Sequence, residues 1–597
     1  MRERLRAVRL LLAFPFKVDT YRTAGALLLI FCGQLAGVGV AIGLALTTDG
    51  AVTRSGDRAI PGIAIFCVSA LLSSLGNWGS FVLQTNLLDR ATLAVDLELV
   101  QLTCSIEGIE HLERPEYLDR IEHLNQNRQN LVTVPTRAAT ILASGLRLAL
   151  TVVLLARVEP LLALLVLAGI PLLLASTRRN RKLIQVWDEV GSPTMRLQYV
   201  LRHIAGQESG AREIRVFGIQ EEFKRGYTRL WNTFTAAFDR VSLGGALLEA
   251  LAAAFLALAV GFGLVLVAHQ ADSGAVTAGN LVLVLTLISQ INLHLGILAG
   301  TANSVGGSLQ TAERLLWLRE YAAHDGSPDR NSSSELPASL SSGIELAHVS
   351  YRYAGADADA LHDVDLFIPF GSSVAIVGEN GAGKSTLVKL LLRMYQPSAG
   401  SILIDGVQLG DVSTGQWRSL TSATFQDFVK FEFLLRESVG VGQLDFVDET
   451  AAVLGALQRG EASELAQIRS IGLETQLGRN FADGIELSGG QWQKIAVSRS
   501  MMRESPLLLV LDEPAASLDA TTEAALFEHL TGAARRASRN AGAVSLFVSH
   551  RFGTARNADL IVVLNQGRVV ETGNHATLMG NGGYYAELFQ LQARSYQ

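Results

Sequence analysis

The sequence predicts an α-helical transmembrane domain of six spans, followed through a linker by an α/β domain of the P-loop class. Three observations predict this fold. The 597 residues are 49% hydrophobic and only 18% charged, and long apolar runs fill the first half. The last part of the chain alternates strand-like and helix-like stretches, as a parallel sheet requires. A glycine-rich loop with a lysine connects one such strand to the next helix.

Each predicted span is near or above the roughly 20 residues that cross a bilayer. The runs are 24–46, 60–83, 131–156, 160–176, 243–268 and 278–305. The run 160–176 is at the short end, and Pro160 with its flanking charges indicates a tight hairpin before it. Residues 1–20 are basic and lack a small-residue cleavage site, so an interfacial amphipathic helix is favoured there over a signal peptide.

Lysine and arginine residues predict the orientation. The basic N-terminus and the stretch STRRNRK at 176–182 place the N-terminus and the loops 84–130 and 177–241 in the cytoplasm. An even number of spans returns the C-terminus to the same side. Charges at three- and four-residue spacing predict that both loops are helices extending beyond the membrane. We therefore expect a multi-pass bacterial cell-membrane protein with both termini cytoplasmic.

Composition changes again after the last span. Residues 322–343 are predicted to be a linker, because this stretch is rich in Ser, Pro, Asp and Gly. The predicted organisation is an N-terminal helix at 1–20, a transmembrane domain at 21–321, the linker and an α/β domain at 344–597. The net charge of −6 gives no indication of nucleic-acid binding, and the three cysteines form no metal-binding spacing.

The stretch GENGAGKST has the spacing of a phosphate-binding loop between a strand and a helix. Its glycines let backbone amides surround a phosphate, Lys384 neutralises the terminal phosphates, and Ser385 can bind Mg²⁺. An incidental glycine-rich turn is the alternative, which the strand–loop–helix setting disfavours. The predicted nucleotide-binding residues in the loop are Gly378, Asn380, Gly381, Gly383, Lys384, Ser385 and Thr386.

The stretch LLLVLDEP supplies two carboxylates after an apolar strand. Asp512 can hold Mg²⁺ directly or through water, and Glu513 can orient the water that attacks a phosphate. Taken alone, the pair could be a solvated turn. Beside a phosphate-binding loop, the hydrolytic reading is favoured.

The stretch IELSGGQWQKI at 485–495 contains no strong acid, base or metal ligand at its centre. Its central residues are Ser488, Gly489, Gly490 and Gln491. A helix is predicted from Trp492, and the bare amides before it favour an anion.

Six segments now occur in one order: GENGAGKST, TFQDF, LSGGQ, LLLVLDEP, SLD and FVSH. On these segments, the second half resembles the nucleotide-binding domain of ATP-binding cassette (ABC) transporters, and 344–597 is identified as a cassette domain. The first half resembles the exporter-type transmembrane domain, on its six spans and long helical loops. There 113–121 and 211–218 resemble the segments around the two coupling helices.

The resemblance implies further roles in binding ATP and Mg²⁺. Tyr353 would stack on adenine, and Gln426 would approach Mg²⁺ and the attacking water. His550 would contact the γ-phosphate, and Asp519 would cross to a partner domain. The Ser-Gly-Gly segment would bind the γ-phosphate held by the partner's loop, which implies a head-to-tail dimer. Because Glu513 and this segment are intact, a homodimer is favoured over a heterodimer.

Function follows from the resemblance as an expectation. The favoured prediction is ATP-driven export of an amphipathic or peptide cargo, and the predicted partners include membrane lipids. Trp492, where exporters usually carry Arg, and TQLGRN at 475–480 resemble variants of bacterial lanthipeptide and small-peptide exporters. The alternatives are a lipid flippase or multidrug exporter, then a siderophore importer of exporter fold or an ATP-gated regulatory membrane protein. The polar residues within the spans are candidate cargo contacts: Asn77, Arg147, Glu249, Gln290, Asn292 and His294.

Overall fold

The computed structural model describes residues 2–165, 167–168, 171, 194, 197–272, 276–325, 334–467, 472–514, 542–549 and 555–595. The chain divides into two compact units, and the division is not a single cut. The first unit comprises Met1–Gln101 and Arg120–Arg319, and the second comprises Leu102–Asp119 and Glu320–Gln597. Two predicted site residues, Asp519 and His550, lie outside the described residues.

The described part of the first unit is helical, and helix α4 begins in the second unit and ends in the first. The helix bounds are α1 Arg2–Val18, α2 Thr20–Val52, α3 Gly56–Ser105, α4 Pro115–Asn127, α5 Val134–Val158, α6 Glu208–Val216, α7 Gln220–Asp272 and α8 Ala278–Asp325. Asp19 separates α1 from α2 and caps α2, because its carboxylate accepts the backbone N–H of Arg22 at 3.0 Å.

Within the described ranges, four helical segments are long and apolar enough to cross a membrane. They are Thr20–Val52, Gly56–Ser105, Val134–Val158 and Ala278–Leu298. These segments coincide with the first, second, third and sixth predicted spans. The fifth predicted span lies in α7, which carries the shorter apolar stretches Ser242–Phe255 and Gly261–Gln270. Much of 160–176 lies outside the described residues.

The helices continue beyond the apolar runs. Helix α3 extends from its span to Ser105, and α7 begins at Gln220, well before its apolar part. The amphipathic spacing of the two long loops predicted these extensions. Helix α4 begins at Pro115, where the sequence RPEY indicated an interruption, because proline is tolerated in the first turn of a helix.

Glycines bring α2 and α3 into close contact. A Cβ atom built on Gly43 would lie 2.4 Å from the backbone nitrogen of Phe66. One built on Gly33 would lie 3.1 Å from the backbone of Gly76. The small residues of α2 therefore allow the two helices to approach along their length, as glycine series do in membrane helices.

Two sheets form the second unit. The strands are β1 Gly343–Tyr351, β2 Leu361–Pro369, β3 Ser373–Val377, β4 Ala399–Ile404, β5 Val407–Gln408, β6 Thr421–Thr424, β7 Leu508–Asp512, β8 Val544–Val548, β9 Leu560–Asn565 and β10 Arg568–Gly573. The first sheet is antiparallel, in the order β2-β1-β4-β5. The second has the order β10-β9-β3-β8-β7-β6, and only β10 joins it antiparallel.

The parallel sheet positions the candidate site. Every residue of β3, β7 and β8 is buried, which explains why these strands read as continuous apolar runs. Because β8 lies between β3 and β7 in a parallel arrangement, the carboxyl ends of all three strands meet at one edge. Ligands of open α/β sheets bind at this edge.

Short helices surround the two sheets. Those with described bounds are α9 Lys384–Leu391, α10 Thr414–Ser419, α11 Leu435–Gly440, α12 Thr450–Arg459, α13 Gly489–Ser500, α14 His575–Asn581 and α15 Tyr584–Ser595.

The segment 102–119 packs within the second unit. The backbone N–H of Ile109 donates to the carbonyl of Met394 at 3.2 Å, and the hydroxyl of Tyr395 donates to the carboxylate of Glu113. The hydroxyl of Thr414 donates to the carboxylate of Glu107 at 2.5 Å. These contacts group 102–119, which overlaps the predicted coupling segment 113–121, with the α/β fold rather than with the membrane helices.

Candidate nucleotide-binding site

The glycine-rich loop lies between the carboxyl end of β3 and the first turn of α9. Gly381 has φ +81° and Gly383 has φ +99°, so a side chain at either position would strain the backbone. Gly383 also forms the N-cap of α9, whose first amides have no intrahelical partner. The loop therefore presents bare amides at a helix N-terminus, the arrangement that binds phosphate.

Lys384 is held inside this loop. Its Nζ donates to the carbonyl oxygens of Gly378 and Glu379, each at 2.8 Å, and the residue is only 5% exposed. Burial lowers the pKa of Lys384, whereas the charges of Glu513 and Asp512 act in the opposite direction. Backbone carbonyls orient the ammonium group but do not neutralise it, so its charge remains available to an anion in the loop.

Tyr353 lies just beyond β1, next to the loop. Its hydroxyl lies 3.0 Å from the hydroxyl of Thr386, which is buried. Its ring packs edge-on against Tyr351 and Tyr395, with centroid distances of 5.0 and 5.6 Å. A half-buried aromatic ring is thus fixed beside the phosphate loop, as adenine stacking requires.

Asp512 ends β7 at the same edge of the sheet and is 7% exposed. Burial raises the pKa of Asp512 to about 6; the nearby charges of Glu513 and Asp427 add to the rise, and Lys384 opposes it. A buried carboxylate among other carboxylates is stabilised by a cation.

The predicted magnesium ligands fit that requirement. Ser385, Gln426 and Asp512 all offer oxygen atoms, which are the ligands that Mg²⁺ prefers. Ser385 is exposed at the start of α9, and Gln426 is exposed two residues beyond β6, the neighbour of β7 in the sheet. The donor chemistry and the raised pKa of Asp512 together fit a divalent cation.

Glu513 adopts an unusual backbone conformation. Its φ is +48°, which non-glycine residues rarely adopt. Two hydrogen bonds hold this peptide: its N–H donates to the carbonyl of Val548 at 3.0 Å, and its carbonyl accepts from Nε2 of Gln493 at 3.1 Å. Strained residues of this kind cluster at functional sites. The motif located Glu513, but sequence reasoning missed Gln493.

The Ser-Gly-Gly segment forms the N-terminus of α13. Ser488 is its N-cap, and a capping box joins Ser488 to Gln491: the Ser488 N–H donates to Gln491 Oε1 at 2.9 Å, and the Gln491 N–H donates to Ser488 Oγ at 3.3 Å. The amides of Gly489 and Gly490 have no partner among the described residues. A Cβ atom on Gly489 would meet no described atom within 4 Å, so packing against the described part of the chain does not require the glycine.

Trp492, the residue that departs from the usual exporter pattern, lies in the core. It is 1% exposed, and its Nε1 donates to Glu486 Oε1 at 3.3 Å. The ammonium of Lys430 lies 6.0 Å from its ring. The tryptophan therefore anchors the first turns of α13 in the hydrophobic core, whereas Ser488 is exposed.

The fold and these elements define a class of protein. The family model of the ABC transporter matches residues 361–516, which includes the glycine-rich loop, α13 and β7. This part of the chain is an ABC transporter domain, a class that binds ATP. A solved bacterial Atm1-family ABC exporter with ATP bound has the same fold, with a TM-score of 0.75 at 21% identity over 97% of this chain and 99% of that chain.

The chain therefore has the exporter-type ABC transporter architecture, with a helical transmembrane domain and an ABC transporter domain in one polypeptide. This confirms the predicted fold class and the predicted family resemblance. The exporter fold and the apolar helices indicate a bacterial membrane protein.

Three proteins of known name are similar to this chain in sequence. The ATP-dependent lipid A-core flippase of Bordetella avium is 33% identical over 60% of this chain and 58% of its own length. The nisin transport ATP-binding protein NisT of Lactococcus lactis is 33% identical over 53% of this chain and 51% of its own length. The fatty acid ABC transporter ATP-binding/permease protein of Mycobacterium bovis is 29% identical over 83% of this chain and 76% of its own length. The chain thus spans little more than half of the first two.

Proposed function

We propose that this chain is one half of an ATP-driven exporter that hydrolyses ATP between two copies of its cassette. One observation carries the proposal: α13 begins with an exposed cap and two glycine amides that no described residue of the chain accepts a hydrogen bond from. The chain has one glycine-rich loop and one such helix. A head-to-tail homodimer gives both elements a partner and builds two sites, whereas a heterodimer is the second possibility.

Residue roles follow as part of the proposal. The glycine-rich loop and Lys384 bind the phosphates, and Tyr353 stacks on adenine. The residues Ser488, Gly489, Gly490 and Gln491 bind the γ-phosphate on the partner's loop. Asp519 contacts the partner cassette, and His550 contacts the γ-phosphate.

Hydrolysis then requires an oriented water. Glu513 accepts its proton, from a backbone position that Val548 and Gln493 hold fixed. Ser385, Gln426 and Asp512 would hold Mg²⁺, which neutralises charge on the phosphates when bound. Gln426 also touches the attacking water in this proposal.

For the cargo, we propose an amphipathic molecule or peptide. The names of the relatives include a lipid A-core flippase and a fatty acid transporter, whose lipid cargoes have a large apolar part, and a nisin transport protein. A lipid flippase or multidrug exporter is the alternative within transport. An ATP-gated regulatory membrane protein is disfavoured, because gating needs no base at Glu513.

The proposed organisation has a helix at 1–20 on the membrane surface, a transmembrane domain at 21–321, a linker at 322–343 and the cassette at 344–597. Both termini are cytoplasmic in this proposal, because Lys and Arg concentrate on that side. ATP binding closes the cassettes, and hydrolysis returns the transporter to its inward-open state.

Tandem dimers test the composite site. Lys384→Ala disables the loop, and Ser488→Arg places a bulky cation where the partner's phosphate binds. Two chains joined by a flexible linker carry both changes in one copy, one change in each copy, or the same change in both. ATP hydrolysis is measured in lipid nanodiscs.

In a head-to-tail dimer, one change per copy puts both defects into one site and leaves the second site intact. We therefore expect hydrolysis well above that of either same-change tandem, in which both sites are damaged. The tandem with both changes in one copy damages each site once and should be inactive. If the one-change-per-copy tandem is equally inactive and the other tandem is active, each site is completed within its own chain and the proposal fails.

A further inference from the structure

A buried arginine joins three of the membrane helices. Arg147 lies on α5 and is 8% exposed. Its Nη1 donates to Oε1 of Gln34 on α2 at 3.4 Å, and its Nη2 donates to Oε1 of Gln290 on α8 at 2.8 Å. The two glutamines lie far from Arg147 and from each other in the sequence.

The three residues lie deep within their helices. At about 1.5 Å per residue, each is roughly 17–21 Å from one end of the apolar helix that carries it. The hydrocarbon core of a bilayer is about 30 Å thick, so this depth corresponds to its middle region. Charged groups at that depth are costly and mark functional sites.

A glycine makes room for the guanidinium group. A Cβ atom on Gly37 would lie 2.2 Å from Nη2 of Arg147, so even alanine would collide with it. The carbonyl of Gly37 also accepts a hydrogen bond from Nε2 of Gln290 at 3.3 Å. Unlike Gly33 and Gly43, this glycine accommodates a cation rather than a neighbouring backbone.

The charge of Arg147 is not compensated. Both of its hydrogen-bond partners are neutral amides, and no acidic side chain among the described residues bonds to it. Among the described residues, its buried Nε has no hydrogen-bond partner, and neither has Nδ1 of His294, which is 5% exposed and one helical turn from Gln290. Asn77 is exposed on α3, and the side chains of Glu249 and Asn292 lie outside the described part of the chain.

We propose that Arg147, with Gln34, Gln290 and His294, binds the anionic group of the cargo, a carboxylate or phosphate on an amphipathic molecule. This inference rests on the proposed transport function. The fork of N–H groups on a guanidinium matches two oxygens of such a group. The anion replaces the glutamine carbonyls at Arg147, and the released amides rotate to donate to it. The free Nδ1 of His294 completes the polar lining.

Binding without nucleotide tests the site independently of ATP hydrolysis. The full chain is placed in phosphatidylcholine nanodiscs, whose neutral lipids do not compete. Equilibrium binding is measured for radiolabelled dodecanoate and dodecyl phosphate, and for dodecanol as an uncharged match. Binding of one short apolar peptide is measured with its C-terminus free and with it amidated. Tighter binding of the free form would show that a peptide can supply the carboxylate.

The variants are Arg147→Gln, Arg147→Lys and Arg157→Gln. Arg157 lies in the last turn of the same helix and is exposed, so it controls for loss of a cation from α5. We expect wild type to bind the anionic probes about tenfold more tightly than dodecanol, the scale of one charge-assisted bidentate contact. Arg147→Gln should abolish that preference, Arg147→Lys should keep part of it, and Arg157→Gln should leave it intact.

Equal binding of dodecanoate and dodecanol by wild type would overturn the inference. So would an anion preference that survives in Arg147→Gln, because the arginine would then serve only to pack the helices. If Arg147→Gln binds none of the probes, including dodecanol, the variant has a folding defect, and Arg147→Lys then decides. Loss of the anion preference in Arg147→Lys would count against the site. If the tandem dimers fail while the anion preference holds, the proposed head-to-tail ATP site is wrong and the anion site stands.

Discussion

The side-chain amide of Gln493 donates a hydrogen bond to the backbone carbonyl of Glu513 at 3.1 Å. Gln493 lies in the first turns of α13 and is 3% exposed, so the bond is shielded from water. The helix that presents Ser488 is thereby connected to the peptide that carries the candidate base. Movement of α13 towards a partner's phosphate would therefore shift the backbone of Glu513 as well.

This connection predicts that Gln493 positions Glu513 for hydrolysis. Replacement by leucine keeps the volume but removes the donor, and the strained peptide at Glu513 loses the hydrogen bond from Gln493. We expect kcat for ATP hydrolysis to fall about 10- to 100-fold, because small displacements of catalytic groups have effects of this size. Lys494→Leu is the matched control, since that neighbouring side chain pairs with the exposed Glu464 and not with Glu513. Equal effects of the two changes would contradict the prediction.

Glu513 itself should be the general base. Glu513→Gln keeps the shape of the side chain but removes its ability to accept a proton. We expect hydrolysis to fall at least about 100-fold, while ATP remains bound and can be recovered with the protein. Glu504→Gln should have little effect, because Glu504 lies at the surface beside Arg459. Turnover that persists in Glu513→Gln would place the base elsewhere.

Tyr353 should contribute to nucleotide affinity rather than to chemistry. Stacking of a base on an aromatic ring contributes roughly 1–3 kcal/mol, so Tyr353→Ala should raise KM for ATP about tenfold or more. Tyr353→Phe keeps the ring and loses only the contact with Thr386, so we expect a smaller rise. A steady-state titration with ATP measures both. An unchanged KM in Tyr353→Ala would remove this residue from the site.

The raised pKa of Asp512 predicts a pH dependence. Since its pKa is about 6, the carboxyl is charged at pH 7 and mostly protonated at pH 5. Mg²⁺ binds only the charged form, so the half-saturating Mg²⁺ concentration should rise about tenfold over that range. Asp427 raises this pKa, and Asp427→Asn should therefore shift the profile to lower pH. A flat profile in wild type, or an opposite shift in the variant, would show that another group controls binding.

The sequence predicted those parts of the site that lie in short continuous motifs. The loop from Gly378 and the strand that ends at Asp512 appear where they were expected. The helix predicted from Trp492 begins earlier, at Gly489, directly after its N-cap Ser488. Each depends on local preferences, such as glycine at positive φ or serine at an N-cap, which a few adjacent residues determine.

The remaining features depend on contacts between distant residues. The bond from Gln493 to Glu513 and the placement of Arg147 between Gln34 and Gln290 exist only once the helices have packed. The left-handed conformation of Glu513 likewise has no signal in its residue type. For Arg147, the sequence indicated a polar group within an apolar span, but it could not identify the neutral partners or the space provided by Gly37.

The segment 102–119 groups with the cassette fold although about two hundred residues, 120–319 of the first unit, separate the two in the sequence. Glu107 accepts a hydrogen bond from Thr414, and Glu113 accepts one from Tyr395. The ring of Tyr395 in turn packs against Tyr353, the residue proposed to stack on adenine. Exchange of cassettes between exporters at the linker alone would break these pairs. A functional chimera would have to transplant 102–119 together with the donor's cassette, so compatibility between transporters is decided by two stretches of sequence rather than one.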